Sequence, residues 1–447
     1  MLIVKIALGL FGLGIVVFVH ELGHFLAARL VGIDVEAFSI GWGNPIIKKK
    51  IGSVEYRLGM FPIGGYCKMK GENDYKEFCD NFDNGVKPQD GSYLAASPPA
   101  RILVSFAGPF FNLLFAILLL SFLWGFGFEI NTLGNKIVLA SQIYGSSFPA
   151  DEAGLKTGDR IIAIGSKPVT YYHEIQENII LNPNKPLRIT VERNGEIITL
   201  NVTPALDKSS GAGRIGVSFW AEPVIDNVKP QSAASRAGLK NGDVIISANG
   251  YDVSNSVDFM TARQDRQNLF IEYERDGIRL KTEISEEDLE GELGFSWKSI
   301  QYHTGRLSIP AAVVKGFSEG YKTLVVSLKS LRLLFMGIDL TSAVSGPVRI
   351  TYMIGDMAAQ GFGQGLGTAL RSTMEFLSLI SIALCVMNLL PLPIIDGGMI
   401  ILFIIEWIRR KPIPPKAISV FQNCGMVIIF GLLVLAVFGD ILFFIRQ

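Results

Sequence analysis

Four stretches of the chain run without a charged residue for the length of a membrane crossing. Ile6 to Val19 is followed at once by His20-Glu21-Leu22-Gly23-His24 and then by apolar Phe25 to Val31. Ile102 to Phe128 is bounded by Arg101 and Glu129. Phe376 to Ile395 leads to a lone Asp396 and resumes at Met399 to Ile405, and Ala417 to Gly439 is the last run. A span needs ~20 mainly apolar residues, so the pattern predicts four transmembrane helices. The first reads as a retained span: only Lys5 precedes it, and His and Glu follow where a signal peptide would have a cleavage site of small residues.

The segments between these runs carry other periods. Val35 to Trp42 and Val54 to Met60 show partial alternation, separated by Lys48-Lys49-Lys50-Ile51-Gly52, which predicts a β-hairpin region. Gly41-Trp42-Gly43 and Gly64-Gly65-Tyr66 mark sharp bends or close backbone approaches. Farther on, Ala153-Gly154-Leu155-Lys156-Thr157-Gly158-Asp159 recurs 84 residues later as Ala237-Gly238-Leu239-Lys240-Asn241-Gly242-Asp243. Each copy leads to an apolar pair and then to a turn, Arg193-Asn194-Gly195 or Arg275-Asp276-Gly277. That period is a domain duplication, too long for a solenoid unit. Phe317, Tyr321, Leu324, Leu328, Leu331 and Phe335 recur at helical spacing with Lys315, Lys322, Lys329 and Arg332 among them. This predicts an amphipathic helix on a membrane surface or under the repeats, or else an ordinary core helix.

The fold class is therefore an α-helical polytopic membrane protein, with a membrane-associated β-hairpin loop and an inserted tandem pair of mixed α/β domains. Its expected divisions are 1–32 (first span), 33–101 (β-loop), 102–128 (second span), 129–222 and 223–300 (the repeats), 301–372 (connecting region), 373–408 (a broken third span), 409–416 (loop) and 417–447 (fourth span). Composition agrees: 18% of residues are charged, against ~25% in soluble domains. Zero net charge argues against nucleic-acid binding, which wants a basic stripe. Four Cys without Cys-x-x-Cys exclude a disulfide scaffold, and none lies between 129 and 370.

Four spans leave both termini on one side. Arg409, Arg410, Lys411 and Lys416 in the last loop make that loop cytosolic by the positive-inside rule. The repeats and both termini are then extracytoplasmic. Nine Lys and Arg among nine acids deny the 33–101 loop an independent vote.

His-Glu-x-x-His puts two imidazoles one helical turn apart on one face, the spacing that lets both bind one Zn²⁺ at ~2.0–2.1 Å. Glu21 between them is placed to take a proton from water at the metal. The bland alternative is two helix-face histidines without a ligand. It is disfavoured because half of the chain's four His fall in this pattern, at a depth where ionisable groups are costly. A catalytic zinc needs a third protein ligand, and Asp396 is the obvious intramembrane candidate. His20 lies ~22 Å into its span and Asp396 ~30 Å into its own, both counted from the outside. Pro391, Pro393, Gly397 and Gly398 break the third span beside Asp396, which is tolerated only in protein or along a wet cavity. The alternative is a kinked packing helix with a snorkelling Asp.

These motifs together resemble the site-2 protease family of intramembrane zinc metalloproteases, over nearly the whole chain. The zinc motif, Asn388-Leu389-Leu390-Pro391-Leu392-Pro393-Ile394-Ile395-Asp396-Gly397 and Gly108-Pro109-Phe110-Phe111-Asn112 all have counterparts there, as does Ser345-Gly346-Pro347. Ile395 stands where relatives have Leu, and Met399 where many have His. The resemblance implies His20, His24 and Asp396 as ligands of one Zn²⁺ and Glu21 as general base. It implies that Asn388 holds substrate or stabilises an oxyanion, with Asn112 a weaker candidate for the same work or part of an interhelical polar network.

Both repeats resemble bacterial PDZ domains, which bind extended peptide by strand addition. Ile215-Gly216-Val217 and Leu293-Gly294-Phe295 resemble their ligand loops, with peptide C-termini as the implied partners; plain steric spacers are the alternative. The family's membrane-dipping β-loop pairs with unwound substrate, which here implies a strand edge near Gly41, Trp42 and Gly43, or else a loop that only seals the site. The implied substrates are single-span membrane proteins such as an anti-sigma factor, first trimmed by a site-1-type protease, and remnant signal peptides, in the bacterial cytoplasmic (inner) membrane. The competing classes are a catalytically inactive PDZ receptor of the same fold and a metal transporter. The first is disfavoured by the full set of catalytic residues, the second by ionisable residues clustered at one depth.

Overall fold

In a computed structural model the chain is described over residues 2–72, 89–208, 211–263, 268–289, 293–333 and 346–445. It divides into two compact units, 1–128 with 304–447, and 129–303.

The first unit is built around one helix. It comprises α1 (Leu2–Leu30), strands β1 (Val35–Ile51) and β2 (Val54–Met69), α2 (Pro98–Phe126), α3 (Ile309–Leu333), α4 (Pro347–Gln364), α5 (Leu366–Asn388), α6 (Asp396–Arg409) and α7 (Pro415–Ile445). α2 packs against α1, α3, α5 and α6. Four helices are long and apolar enough to cross a membrane: Val4–Leu30, Pro98–Phe126, Leu366–Asn388 and Lys416–Phe443. Arg101, which the charge pattern puts at the edge of the second span, lies inside α2 and is 1% exposed.

The β-loop is more than a hairpin. β1 and β2 each fold back, so that residues 35–40 pair with 54–58 on one side and 65–69 on the other, while 47–51 pair with 54–58. The result is a four-stranded antiparallel sheet ordered 47–51, 54–58, 35–40, 65–69. Gly41, at φ +83°, makes the fold-back in β1; a Cβ there would press on the Phe61 and Gly59 carbonyls. The strand edge expected near Gly41, Trp42 and Gly43 falls at the fold-back, where Trp42 pairs with Phe61 alone, and the strand leading to it is interior, with Ile40 paired on both sides, to Gly65 and Leu58. The edge strands are 47–51 and 65–69. Phe38, Ile40, Tyr56, Leu58 and Ile47 line a mainly apolar groove with Phe18, Leu22 and Phe25 of α1, to which Lys49 and Arg57 also contribute, while Arg57 donates to Tyr66 and Glu55.

The connecting helix shows which of its faces packs on α2. α3 forms where the apolar period predicts it, but Phe317, Tyr321 and Leu328 are exposed. Its packing face is Ala312, Gly316 and Gly320, whose close neighbours are Gly125, Ser121 and Ile117 of α2. Small residues let the two backbones approach and set the contact. Phe335 and Ser345 lie outside the described residues.

The second unit contains the duplication. Each repeat has a four-stranded antiparallel sheet with a short helix beside it, Tyr172–Ile180 in the first and Ser256–Ala262 in the second. Each also pairs its opening and closing strands, Ile137–Leu139 with Val217–Phe219 and Ile225–Val228 with Phe295–Trp297. The apolar pairs after the two motifs supply buried Ile161 and Ile245 to separate cores.

Candidate metal centre

His20, Glu21 and His24 stand on the last turns of α1, one helical period apart. The break after Asn388 returns the chain to them. α5 ends there, Leu389 to Ile395 are non-helical, and α6 starts at Asp396 with the carboxylate in its first turn. Ile394 takes φ +80°, an outlier for a β-branched residue that persists only where its surroundings fix it.

The ligand atoms of His20, His24 and Asp396 converge. His20 Nε2 and His24 Nε2 are 3.2 Å apart, and they lie 3.3 Å and 3.4 Å from the two Asp396 carboxylate oxygens. A tetrahedral ion with bonds of ~2.05 Å has ligand-to-ligand edges of ~3.3 Å. The three side chains therefore fit a zinc ion at the spacing they already hold, and among the described residues they form the only such group.

α2 supplies the partners that orient both rings. The Val104 carbonyl accepts from His24 Nδ1 at 2.8 Å, and the Asn112 side-chain amide lies 3.3 Å from His20 Nδ1. Asn112 is fully buried, and its Oδ1 is one of the few buried side-chain atoms without a hydrogen bond. An imidazole that binds metal through Nε2 carries its proton on Nδ1 and wants an acceptor there. The amide orientation that turns Oδ1 to His20 meets that need. Gly108 makes the contact possible, since a Cβ would strike the His24 ring and come 2.8 Å from His20 Cε1.

The β-sheet reaches the same place through its 65–69 edge. Glu21 stands against this edge, since a Cβ on Gly65 would lie 3.0 Å from Glu21 Cγ. Asn388 is half-buried at the end of α5, and its side chain makes no hydrogen bond with the described residues. Gly41, Trp42 and Gly43 are at the fold-back of β1, with Trp42 58% exposed. Ile215, Gly216 and Val217 line a groove of about 550 Å³ in the first repeat, and Leu293, Gly294 and Phe295 occupy the matching turn and strand of the second. Sequence reasoning missed the Gly65–Cys67 edge; the Gly64-Gly65 pair was its available signal.

A zinc-type triad with an adjacent carboxylate, in a chain with four helices long and apolar enough to cross a membrane and with both histidines on one of them, defines the class: a membrane zinc metalloprotease. The chain belongs to Peptidase family M50, which it matches over residues 8–432. It is similar to a protein of Treponema pallidum named "Putative zinc metalloprotease", at 34% identity over 98% of this chain and 99% of that one. Proteins of the same name in Borreliella burgdorferi and Vibrio cholerae are each 30% identical over 96% of both chains.

Proposed function

We propose that this enzyme cleaves single-span membrane proteins within their transmembrane segments. The observation that carries this is the convergence of His20, His24 and Asp396 from two apolar helices, with Glu21 beside a strand edge. His20, His24 and Asp396 hold one zinc ion. Bound there, zinc supplies Lewis acidity, lowering the pKa of water towards ~7 and polarising a carbonyl. Glu21 takes the proton from the attacking water and returns it to the leaving amine. The free amide of Asn388 is available to donate to the developing oxyanion, and Asn112 is turned to His20 instead.

A helical substrate hides its carbonyls and must unwind before attack, and each freed backbone group costs several kcal/mol in hydrocarbon. The Gly65–Met69 edge, paired on one side only, accepts the unwound strand in place of the interior 35–40 strand. The site faces the cytosolic half of the bacterial cytoplasmic membrane, with both termini and the inserted unit outside. The inserted unit is a tandem PDZ pair that restricts entry to substrates already trimmed by an upstream site-1-type protease. Anti-sigma factors and remnant signal peptides are the substrate classes. Zinc content and cleavage of a single-span substrate in detergent test the reading together. Glu21→Gln is expected to keep zinc and lose cleavage by at least about a hundredfold, and cleavage at the wild-type rate would refute it.

A further inference from the structure

A buried ion pair stands one helix-length away from the metal centre. Arg101 of α2 and Glu406 of α6 are 1% and 6% exposed. Arg101 Nη2 donates to Glu406 Oε1 at 2.5 Å and Nη1 to Oε2 at 3.4 Å. Its Nε donates to the Ala96 carbonyl at 3.2 Å, and its guanidinium lies 4.8 Å from the centre of the Phe403 ring. Two faces of the guanidinium fork and its stacking surface are thus all engaged. Apart from Asp396 itself, Glu406 makes the only ion pair on α6 among the described residues.

Such a pair is a poor choice for stability alone. Removing two charges from water costs several kcal/mol each, and apolar residues of similar volume often serve as well or better. What a two-pronged Arg–carboxylate contact adds is direction, because the planar fork accepts the carboxylate in one orientation.

That direction is useful here because of where Arg101 sits. Arg101, Val104, Gly108 and Asn112 are spaced i, i+3, i+7 and i+11, within ~80° of arc on one face of α2. The last three hold the histidines: Val104 accepts from His24, Gly108 admits both rings, and Asn112 meets His20. Arg101 reaches across to α6 from the same face. Arg101 and Asn112 are ~16 Å apart along α2, and Asp396 and Glu406 ~15 Å apart along α6. The two helices therefore meet at two rungs of matching height, the ion pair at one end and the ligand cluster at the other.

We propose that Arg101 and Glu406 are positioning residues for the third metal ligand. By locking the rotation and depth of α6 against the face of α2 that orients both histidines, they set where the Asp396 carboxylate meets the two imidazoles. This rests on the assignment of Asp396 as a ligand.

The test is Co²⁺ titration of the full-length protein in nanodiscs, read by the visible absorption of the four-coordinate ion and by dissociation constant. Two variants are compared with wild type. Arg101→Met with Glu406→Leu replaces the pair by apolar side chains and is expected to keep the thermal midpoint. Arg101→Lys keeps the charge and gives up the fork, and it decides the matter where the double variant fails to fold. Both are expected to bind Co²⁺ at least about tenfold more weakly, the low end for loss of a supporting partner, with altered absorption. Wild-type affinity and spectrum in Arg101→Lys would overturn the positioning role while leaving the metal site standing. No four-coordinate absorption in wild type would overturn the metal site and this inference with it.

Discussion

The two repeats of the inserted unit share a lock and differ in what lies next to it. In the first, Arg193 bonds both oxygens of buried Asp159 at 2.7 Å and the Gly154 carbonyl at 2.8 Å. In the second, Arg275 makes the same three bonds to Asp243 and Gly238 at the same distances. Asp159 and Asp243 also accept from the Lys156 and Lys240 amides. The recurring Ala-Gly-Leu-Lys-x-Gly-Asp motif is thus a structural lock, and its repetition says nothing about binding.

The grooves diverge. The first repeat's groove is floored by Ile175, Ile179, Ile215 and Val217 and rimmed by Phe148 and Tyr144. At the matching positions of the second, Phe259 replaces Ile175, Phe295 replaces Val217 and Ser232 replaces Phe148. Phe259, Phe295 and Trp297 pack edge to face with centroids 4.9–5.7 Å apart. Duplication kept the frame and gave the two copies different side chains around it.

Three measurements break or sharpen this contrast. The largest effect is expected at the lock. Asp159→Ala and Asp243→Ala each leave an arginine without its buried partner and should each cost about 3 kcal/mol, read by hydrogen exchange of each repeat's strands in the full-length protein. A difference above about 1 kcal/mol between the two would undo their equivalence. A smaller effect is expected at the groove. An extended peptide with an apolar C-terminal residue should bind the wild-type protein, and Ile175→Phe with Val217→Phe, which copies the second repeat, should weaken it by about tenfold or more, roughly 1.4 kcal/mol. Equal binding by both proteins would mean that the groove is not the site. The smallest concerns Tyr172, whose hydroxyl donates to the Val217 carbonyl at 2.9 Å and whose phenol burial pushes up to about 12. It remains a donor at any ordinary pH and competes for that strand edge. Tyr172→Phe should therefore tighten the same peptide about threefold, or ~0.6 kcal/mol; weaker binding would make the tyrosine a ligand contact rather than a competitor.

The features legible in the sequence are those written by rare residues in local patterns. The uncharged runs located the helices, and the spacing of His20 and His24 put both on one face. A lone Asp in an apolar segment singled out Asp396, 372 residues beyond His24. What escaped depends on neighbours distant in the chain. Alternation in 35–42 and 54–60 announces strands, but not that β1 folds back at Gly41 and places residues 35–40 between two partners. Helical spacing finds α3 without telling which face packs, because aromatic and small faces share one period. Arg101 and, just past Ile405, Glu406 mark the ends of apolar runs, where a charge ordinarily signals water. Only the crossing of α2 and α6 shows that the two meet each other.

The division of the metal ligands between α1 and α6 has a consequence for how the enzyme is born. His24 is added to the growing chain 372 residues before Asp396, about 20 to 75 s at ~5–20 residues per second. Val104 and Asn112 follow His24 by no more than 88 residues, so α2 can hold both rings in their final orientation long before the third ligand exists. Through that interval Glu21 stands beside two oriented histidines that still lack the carboxylate which completes the cluster. The cluster of three therefore closes only after α6 has been made, however early its first two members are in place.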